Sequence, residues 1–422
     1  MTSHADVAVV GAGAAGLATA IFTARHHPGT TVVAFDGALT LGAKILVSGG
    51  GRCNVTNIVV EAADFQGGSR HVVRRVLSAF PARTAAAFFR EIGVPLHAEP
   101  GGKLFPDSNK ARTVLAALVA EAERRGARLL AAHRVVGIAP EGDVFRVHTS
   151  GGAWLARRVV LATGGLSLPK TGSDGGGYAL AEALGHSLVP RTPALVPLVL
   201  DGTFHADLSG VSHDVIVTLR VEGKKAVHVS GPLLWTHFGV SGPAALDASR
   251  FWHAARGEGS PVIVSLNLIP GQTFDSLESW LLGTARRAPR TLVSTALATR
   301  LPSRLAEAIL AAVDVPRSTA AGRLEREPRR RLVRALTEWP LPVRDSRGYN
   351  YAEVTAGGVP LTEVDPATLE SRKCPGLHLV GEILDVDGRI GGFNFQWAWS
   401  SAWVAATALA ASASGSIRAS RQ

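Results

Sequence analysis

The residues best placed for chemistry near the amino terminus are three glycines with the spacing Gly11-x-Gly13-x-x-Gly16. They follow the apolar run Asp6–Val10, typical of a buried parallel strand, and they precede apolar residues at helical spacing. Gly11 permits a tight turn, Gly13 lets a pyrophosphate approach the backbone, and Gly16 lets the helix pack closely on the strand. The start of that helix also offers free N–H groups to phosphates. The predicted dinucleotide-contacting residues are Gly11, Gly13, Ala14, Ala15 and Gly16.

An acidic residue, Asp36, stands twenty positions beyond Gly16, at the end of a second predicted strand, Thr31–Phe35. A carboxylate in this place accepts hydrogen bonds from the hydroxyl groups of an adenosine ribose. Val135, in a segment predicted to be extended, is a further candidate for cofactor contact. A turn of small residues selected only for packing is the alternative. We favour the dinucleotide site because strand, turn, helix and acidic residue coincide.

A second glycine-rich segment distinguishes FAD from NAD. Three successive glycines make a backbone that a flat ring can approach, and their N–H groups can form a concavity that binds anions. Such a segment directly after the ribose-binding strand is unnecessary for NAD, and it suits a flavin that extends away from the first turn. A flexible surface loop is the alternative. The candidate residues are Lys44, Ser48, Gly49, Gly50, Gly51, Arg52, Cys53 and Asn54, with Lys44 and Arg52 as partners of phosphate or flavin oxygens.

Three segments nearer the carboxyl terminus complete the predicted FAD site. One resembles the turn that closes a strand in flavoproteins of the glutathione-reductase-like fold. Another ends a strand and carries a carboxylate for the ribityl hydroxyl groups. The third opens the last helix, whose amino terminus can stabilise negative charge on a reduced flavin. The residues are Thr163, Gly164 and Gly165; Gly381, Glu382 and Asp387; and Gly391, Gly392, Phe393 and Asn394.

Together these segments resemble the BaiN/YhiN-type family of bacterial FAD-binding flavoproteins, some of which are named bile-acid reductases or aminoacetone oxidases. The resemblance covers essentially the whole chain. Two departures are Asp36, where a glutamate is usual, and the loop of residues 174–177, where more Thr and Asp are usual. The matching stretches are SGGGRCNVTN (48–57), LFPDSNKARTV (104–114), ATGGLSLPKTGSDGGGY (162–178), GPLLWTHFGVSGPAAL (231–246), AEVTAGGV (352–359) and PGLHLVGEILDVDGRIGGFNFQWAWSSA (375–402).

The predicted fold class is α/β: a GxGxxG parallel-sheet FAD domain, glutathione-reductase-like, interrupted by a β-rich insertion domain that carries a small helical subdomain. The resemblance implies this split, and the change in sequence texture agrees with it. Val215, Val217, Leu219 and Val221 alternate with more polar residues, and residues 222–225 form the turn of a hairpin. The predicted parts are FAD domain (1–190 and 346–422), β-rich insertion (191–275) and Arg-rich helical subdomain (276–345).

Candidates for acid–base and redox chemistry are few. His237 has a side chain suited to proton transfer near neutrality, and the resemblance places it over the flavin. A hydrogen bond within its own turn is an equally good explanation of this histidine. The two cysteines, Cys53 and Cys374, form no CxxC pair, so we expect no disulfide relay and no metal site. A second GxGxxG is absent from the sequence, so a nicotinamide, NAD(P)H, is expected to bind only transiently as reductant.

The chain is basic, with 422 residues, a net charge of +10 and a pI near 10.3. Residues 276–334 hold twelve Arg and five acidic residues, and Pro328 is expected to interrupt the densest part of this run. We favour a solvated basic face over a nucleic-acid partner. Neither the apolar segment 7–22 nor the Trp-rich tail predicts a membrane span, and the cysteine content favours a reducing cytoplasm.

The expected function is that of an FAD-dependent oxidoreductase, which transfers a hydride between flavin N5 and a small or medium-sized organic substrate. The resemblance implies either reduction of an enone-like double bond or oxidation of an amine, and it leaves the choice between them open. Two alternatives belong to other classes. One is a flavoprotein that modifies tRNA or another nucleic acid, and the other is a flavin-binding sensor or partner protein without catalysis.

Overall fold

The chain forms two units, the first made of Met1–Pro193 with Glu353–Gln422 and the second of Ala194–Ala352. A computed structural model describes residues 3–222, 224 and 226–419. Gly223 and Lys225, which belong to the predicted hairpin turn, lie outside the described residues. No helix in the described ranges is long and apolar enough to cross a membrane.

The first segment of unit 1 alternates strands and helices. Its strands are β1 (Ser3–Val10), β2 (Val32–Phe35), β3 (Thr56–Asn57), β4 (Phe65–Gly67), β5 (Leu96–Glu99), β6 (Lys103–Pro106), β7 (Arg128–Leu130), β8 (Val135–Glu141), β9 (Val144–Thr149), β10 (Gly152–Leu161) and β11 (Val189–Ala194). Its helices are α1 (Ala14–His26), α2 (Ala43–Gly51), α3 (Arg70–Ala79), α4 (Ala82–Glu91), α5 (Ala111–Arg124) and α6 (Gly176–Ala183).

Unit 2 combines a sheet with helices. Its strands are β12 (Leu198–Leu200), β13 (Ser212–Val221), β14 (Val227–Thr236), β15 (Gly239–Ser241), β16 (Val262–Asn267), β17 (Trp339–Pro340) and β18 (Val343–Ser346), in the order β17-β16-β13-β14-β15-β12-β18. Its helices are α7 (Pro243–Gly257), α8 (Phe274–Arg287), α9 (Val293–Leu297), α10 (Ser303–Ala312) and α11 (Arg326–Thr337). Buried residues of the sheet and of these helices form one hydrophobic core.

The chain then returns to unit 1 through β19 (Val354–Gly358), β20 (Leu377–Leu379), β21 (Val386–Gly388) and α12 (Phe393–Ala419). In the central sheet, β7, β2, β1, β10 and β20 run parallel in that order. The antiparallel pair β9–β8 joins β10 at its earlier residues. Because β1 and β10 are adjacent and parallel, the segments that follow them meet at one edge of the sheet. This is a Rossmann-type arrangement, in which ligands bind beyond the carboxyl ends of the strands.

Helix α1 is buried more completely than its sequence predicts. One apolar face was expected to pack on the sheet, but every residue from Ala15 to Ala24 is buried. Helix α12 packs along α1, and the Trp403 ring lies 5.1 Å from that of Phe22 and 5.0 Å from that of Phe80. Helix α1, which follows the turn with the three glycines, is therefore surrounded by other elements of unit 1.

A buried carboxylate links α1 to α5. Glu121 is only 4% exposed, and its Oε1 accepts hydrogen bonds from Arg25 Nη2 at 2.6 Å and Arg125 Nε at 2.9 Å, while Arg124 pairs with Oε2. Burial alone would raise the pKa of Glu121, but these hydrogen bonds outweigh burial and lower it. The stability that this group contributes is therefore present above the ordinary Glu pKa, and it is lost as the pH falls through the lowered value.

We expect Glu121→Gln to lower the free energy of unfolding by about 1–3 kcal/mol, because it removes a buried carboxylate that accepts charge-assisted hydrogen bonds from three arginines, of which Arg25 keeps Glu91 as a second partner. Denaturant unfolding near neutral pH measures the change. Glu123→Gln, an exposed position on the same helix, is the matched control and should stay within about 0.5 kcal/mol of the parent. Equal losses in the two variants would contradict a specific role for Glu121.

Candidate functional site

The turn between β1 and α1 has the geometry that a pyrophosphate site needs. Gly11 adopts a left-handed φ of +97°, and a Cβ on it would lie 2.5 Å from Ala162 O. A Cβ on Gly16 would come within 3.0 Å of Gly11 O, closer than real Cβ atoms approach. At Gly13, by contrast, no described residue other than its two neighbours in the chain has an atom within 4 Å of where a Cβ would stand, and this N-cap glycine gives the helix no side-chain cap. Two glycines thus bring strand and helix together, while Gly13 leaves open space before uncapped N–H groups.

The carboxylate of Asp36 lies at this same turn. Its Oδ2 accepts a hydrogen bond from Ala12 N at 2.9 Å, and its Oδ1 accepts one from Ala38 N at 2.8 Å. Burial raises the pKa of Asp36, and the two backbone hydrogen bonds act against that rise. Each carboxylate oxygen can accept a second hydrogen bond. The side chain is therefore held in place by the backbone with acceptor capacity left for a ribose, and that role stays a prediction.

The second glycine-rich segment forms the end of α2 and the turn after it. Ser48 is extended, and Gly49 and Gly50 are left-handed, so the helix is interrupted where the sequence predicts a loop. Arg52 pairs with Glu99 at 2.6 Å and lies 4.0 Å over the Phe105 ring. The structure thus gives Arg52 a protein partner, and its predicted contact with phosphate or flavin oxygens stays untested.

Cys53 and Asn54 are both buried. Burial raises the pKa of the Cys53 thiol to about 12, so that it stays protonated at neutral pH and is a poor nucleophile. Among the described residues, the buried Oδ1 of Asn54 has no hydrogen-bond partner, and the same is true of Thr163 Oγ1 and Ser173 Oγ. Orphaned buried polar atoms are rare in folded proteins, and a polar ligand is one explanation of such atoms. Together with the open space at Gly13, they fit a dinucleotide cofactor.

A polar cluster joins three of the predicted cofactor segments. Lys44 Nζ pairs with Glu382 Oε2 at 2.7 Å and also contacts Ser167 Oγ. Glu382 Oε1 accepts a hydrogen bond from Thr355 N at 2.9 Å and lies 3.0 Å from Ser167 Oγ. Gly165 lies against this cluster, because a Cβ on it would come within 3.0 Å of Glu382 Oε1.

Ser167 and Thr355 were not among the predicted site residues. The Thr355 hydroxyl accepts hydrogen bonds from Leu166 N at 2.7 Å and Ser167 N at 3.1 Å, and so fixes the segment after Gly165. Both residues lie in stretches that match the family, LSLPKTG and AEVTAGGV, but neither carries a chemical signal of its own. Only their placement beside Glu382 identifies them.

The segment before α12 is held by side-chain amides. Asn394 Oδ1 accepts a hydrogen bond from Gly388 N at 2.8 Å, and its Nδ2 donates to Gly388 O at 2.9 Å. Asn57 Nδ2 donates to Gly391 O at 3.1 Å, and Gly392 packs on the backbone of Thr56. As predicted, the last helix opens in this segment: α12 begins at Phe393, whose side chain is buried. These contacts give the predicted flavin-facing segment a defined conformation.

Two aspartates stand close together just before this segment. Asp387 is buried on β21, and Asp385 precedes it. Burial, followed by the negative charge of Asp387, raises the pKa of Asp385 to about 6, and a hydrogen bond from the Gly357 backbone acts against the rise. Because the pKa of Asp385 is raised, its protonated carboxyl group is favoured in the folded state. The stability that it contributes is complete at pH values below the unfolded-state pKa and is lost as the pH rises through about 6.

We therefore expect Asp385→Asn to stabilise the protein without added FAD by about 1–3 kcal/mol above pH 7, and to change stability little near pH 4. Thermal or denaturant unfolding across this pH range measures the difference. The exposed Asp143, replaced by Asn, is the control and should give parallel curves. A gap between Asp385→Asn and the parent that did not grow with pH would contradict the raised pKa.

The remaining predicted residues lie elsewhere. Val135 is the half-buried first residue of β8 in unit 1. His237 lies in unit 2, in the turn between β14 and β15, where it is exposed and its ring centroid is 5.2 Å from that of Phe238. Its catalytic role stays a prediction.

The Arg-rich segment differs from the prediction in one respect. Pro328 does not interrupt it, because this proline is the third residue of α11, where its missing N–H is not needed by the helix. Two arginines of this segment also contact other residues of unit 2: Arg329 pairs with Glu278 at 3.4 Å, and Arg331 donates a hydrogen bond to Val313 O at 3.2 Å. This basic segment is therefore partly structural.

Comparisons with known proteins agree with this geometry. A family model described as the HI0933-like protein Rossmann domain matches residues 5–408. The ribosomal RNA dihydrouridine synthase of Escherichia coli (strain K12) is 34% identical over 97% of this chain and 99% of its own length. The 3-dehydro-bile acid delta(4,6)-reductase of Clostridium scindens is 33% identical over 96% and 98%. The 3-ketosteroid delta1-dehydrogenase structure from Sterolibacterium denitrificans covers 97% of this chain and 100% of its own at 15% identity, with a TM-score of 0.52, a likeness of fold.

The Rossmann-type sheet, the glycine turn with Asp36 and the matched relatives define the class of this protein: it is an enzyme, an FAD-dependent oxidoreductase. Within that class, the chain belongs to the HI0933-like family. The family resemblance in the motifs is thereby confirmed.

Proposed function

We propose that this enzyme reduces a carbon–carbon double bond conjugated with a carbonyl group. The observation that carries the proposal is the likeness, over nearly the whole chain, to a 3-dehydro-bile acid delta(4,6)-reductase and a ribosomal RNA dihydrouridine synthase. The substrates in these names, a 3-oxo steroid with nearby double bonds and uridine, share such a double bond. Amine oxidation finds no comparable support.

The residues of unit 1 serve this reaction by binding and orienting the cofactor. The uncapped start of α1 and the open space at Gly13 receive the pyrophosphate, and Asp36 receives the adenosine ribose. Glu382 and Lys44, fixed by Ser167 and Thr355, present charged groups to the ribityl chain and the flavin. When bound, the flavin supplies hydride transfer, and the protein supplies orientation and electrostatics.

The cofactor is expected to be non-covalent, because no attachment residue is evident beside the predicted site. Acid precipitation of the purified protein should release FAD into the supernatant, where it is identified by chromatography. Flavin that remains in the pellet would contradict non-covalent binding, and release of FMN would contradict the dinucleotide site.

The reductant is proposed to be NADH or NADPH, bound transiently, since the sequence holds a single GxGxxG motif. Anaerobic mixing of the yellow protein with each nucleotide, followed by the flavin absorbance, tests this step alone. Reoxidation of the reduced enzyme by an enone or dienone panel then tests the substrate class. Reduction by nucleotide without reoxidation by any conjugated substrate would count against the proposed reaction.

A uracil base in RNA is the second candidate substrate, favoured by the net charge of +10. On α3, Arg70, Arg74 and Arg75 are exposed, and within the described part of the chain they form no ion pair. Such arginines can contact phosphates. Incubation with ribosomal RNA lacking dihydrouridine, followed by nucleoside mass spectrometry, distinguishes this substrate from a small enone.

A further inference from the structure

We propose that Glu353 is a further catalytic residue, which donates the proton in the reduction of the conjugated double bond. This inference rests on the proposed function. Such a reduction adds a hydride to one carbon of the double bond and a proton to the carbon next to the carbonyl. The hydride comes with the reduced flavin, whereas the proton must come from an acidic group or from water. The carboxyl of Glu353 would give up its proton and regain one from solvent.

The position of Glu353 in unit 1 is the first support. It directly precedes β19, and its carbonyl oxygen lies 3.2 Å from Ser167 Oγ. Ser167 contacts Lys44 and Glu382, which belong to two of the predicted cofactor segments. Two residues further on, Thr355 N binds Glu382. Glu353 therefore directly precedes a strand whose residue Thr355 contacts the polar cluster of the candidate FAD site.

The second support is that the Glu353 carboxylate is available. Lys44, the nearby cation, is already paired with Glu382 at 2.7 Å. Within the described ranges, the side chain of Glu353 forms no hydrogen bond and no ion pair, and it is exposed. A proton donor needs this combination, because it must reach the substrate and exchange protons with water.

The third support is electrostatic. Burial raises the pKa of Glu353, and the positive charge of Lys44 acts against the rise without cancelling it. Solvent reaches part of Glu353, and protein atoms surround the rest of its side chain. Glu353 thus keeps its proton to a higher pH than an ordinary glutamate.

The test compares Glu353→Gln, Glu353→Asp and the parent, each loaded with FAD. We expect Glu353→Gln to lower kcat with the conjugated substrate at least about 100-fold, the low end for loss of a general acid. Flavin content and the rate of flavin reduction by nucleotide should stay unchanged. The rate of the parent should fall as the pH rises through the raised pKa of Glu353. This decrease with pH should be absent in Glu353→Gln and present in Glu353→Asp. Glu141→Gln, at an exposed glutamate paired with Arg146, is the matched control.

A second readout needs no turnover. At a pH above the ordinary Glu pKa, the infrared spectrum of the parent should contain the carbonyl band of a protonated carboxyl group. The intensity of this band should be lower in Glu353→Gln. If the parent reduces a conjugated substrate and Glu353→Gln keeps its rate and pH profile, the inference is overturned. If the parent reduces none, the proposed function fails, and an unchanged infrared band would then overturn the inference independently.

Discussion

The substitution Gly16→Ala is expected to destabilise the protein by about 3 kcal/mol or more and to abolish FAD binding. The added methyl group would lie within 3.0 Å of Gly11 O, a backbone atom that cannot rotate away. Helix α1 cannot retreat, because α12 covers its other side. Overpacking of this kind costs about 1–3 kcal/mol, and more where backbone must move. Denaturant unfolding and the FAD content after gel filtration measure the two effects.

Gly13→Ala is the matched control, three residues away in the same turn. Apart from its two neighbours in the chain, no described residue has an atom within 4 Å of the added methyl group, and the backbone φ of −79° is ordinary for alanine. We expect a loss of stability of at most about 1 kcal/mol, the usual cost of alanine at a helix start. FAD affinity should nevertheless fall at least about tenfold, since the methyl group occupies the space assigned to the pyrophosphate. Normal FAD affinity in Gly13→Ala would show that the pyrophosphate lies elsewhere.

The second large effect is expected at Asp36. Asp36→Ala should weaken FAD binding by about 1.5–3 kcal/mol, or roughly ten- to a hundredfold, through lost charge-assisted hydrogen bonds to the ribose. It also removes the acceptor for Ala12 N and Ala38 N, so the turn itself should become less stable. Titration of the apoprotein with FAD measures the affinity.

Asp6→Ala separates ligand binding from backbone support. Asp6 lies on β1 and likewise accepts a backbone hydrogen bond, from Thr31 N at 2.9 Å, but it is not among the predicted cofactor residues. This variant should lose some stability and keep its FAD affinity. If Asp36→Ala and Asp6→Ala retained FAD equally after dilution and gel filtration, the ribose role of Asp36 would be wrong.

Local features of the site were predictable from the sequence alone. The turn at Gly11–Gly16, the strand before it and the helix after it depend on residue types within a few positions of each other. The same holds for the left-handed Gly49 and Gly50 and for the start of α12 at Phe393. Backbone sterics act between neighbours in the chain, so a short stretch of sequence carries the information.

Contacts between distant segments were decided by the tertiary structure. The predicted contact of Lys44 with phosphate or flavin oxygens stays a prediction, whereas its pairing with Glu382, 338 positions away, has no signal in the sequence. Arg52 is paired with Glu99, and Thr355 supports Glu382, although neither pairing has a local signature. The complete burial of α1 likewise depends on α12, which arrives from the other end of the chain.

The physical reason is that charge and hydroxyl groups act through space, over a few ångströms, whatever their separation in the chain. The type of a residue and its neighbours in the chain determine which interactions its side chain can make. Which partner it contacts depends on how the sheet and helices pack. By itself, therefore, the sequence determined the Rossmann turn, the FAD class and the family. The tertiary structure decided which side chains contact one another around Glu382, and it left the carboxylate of Glu353, close to them in the fold, without a partner among the residues described.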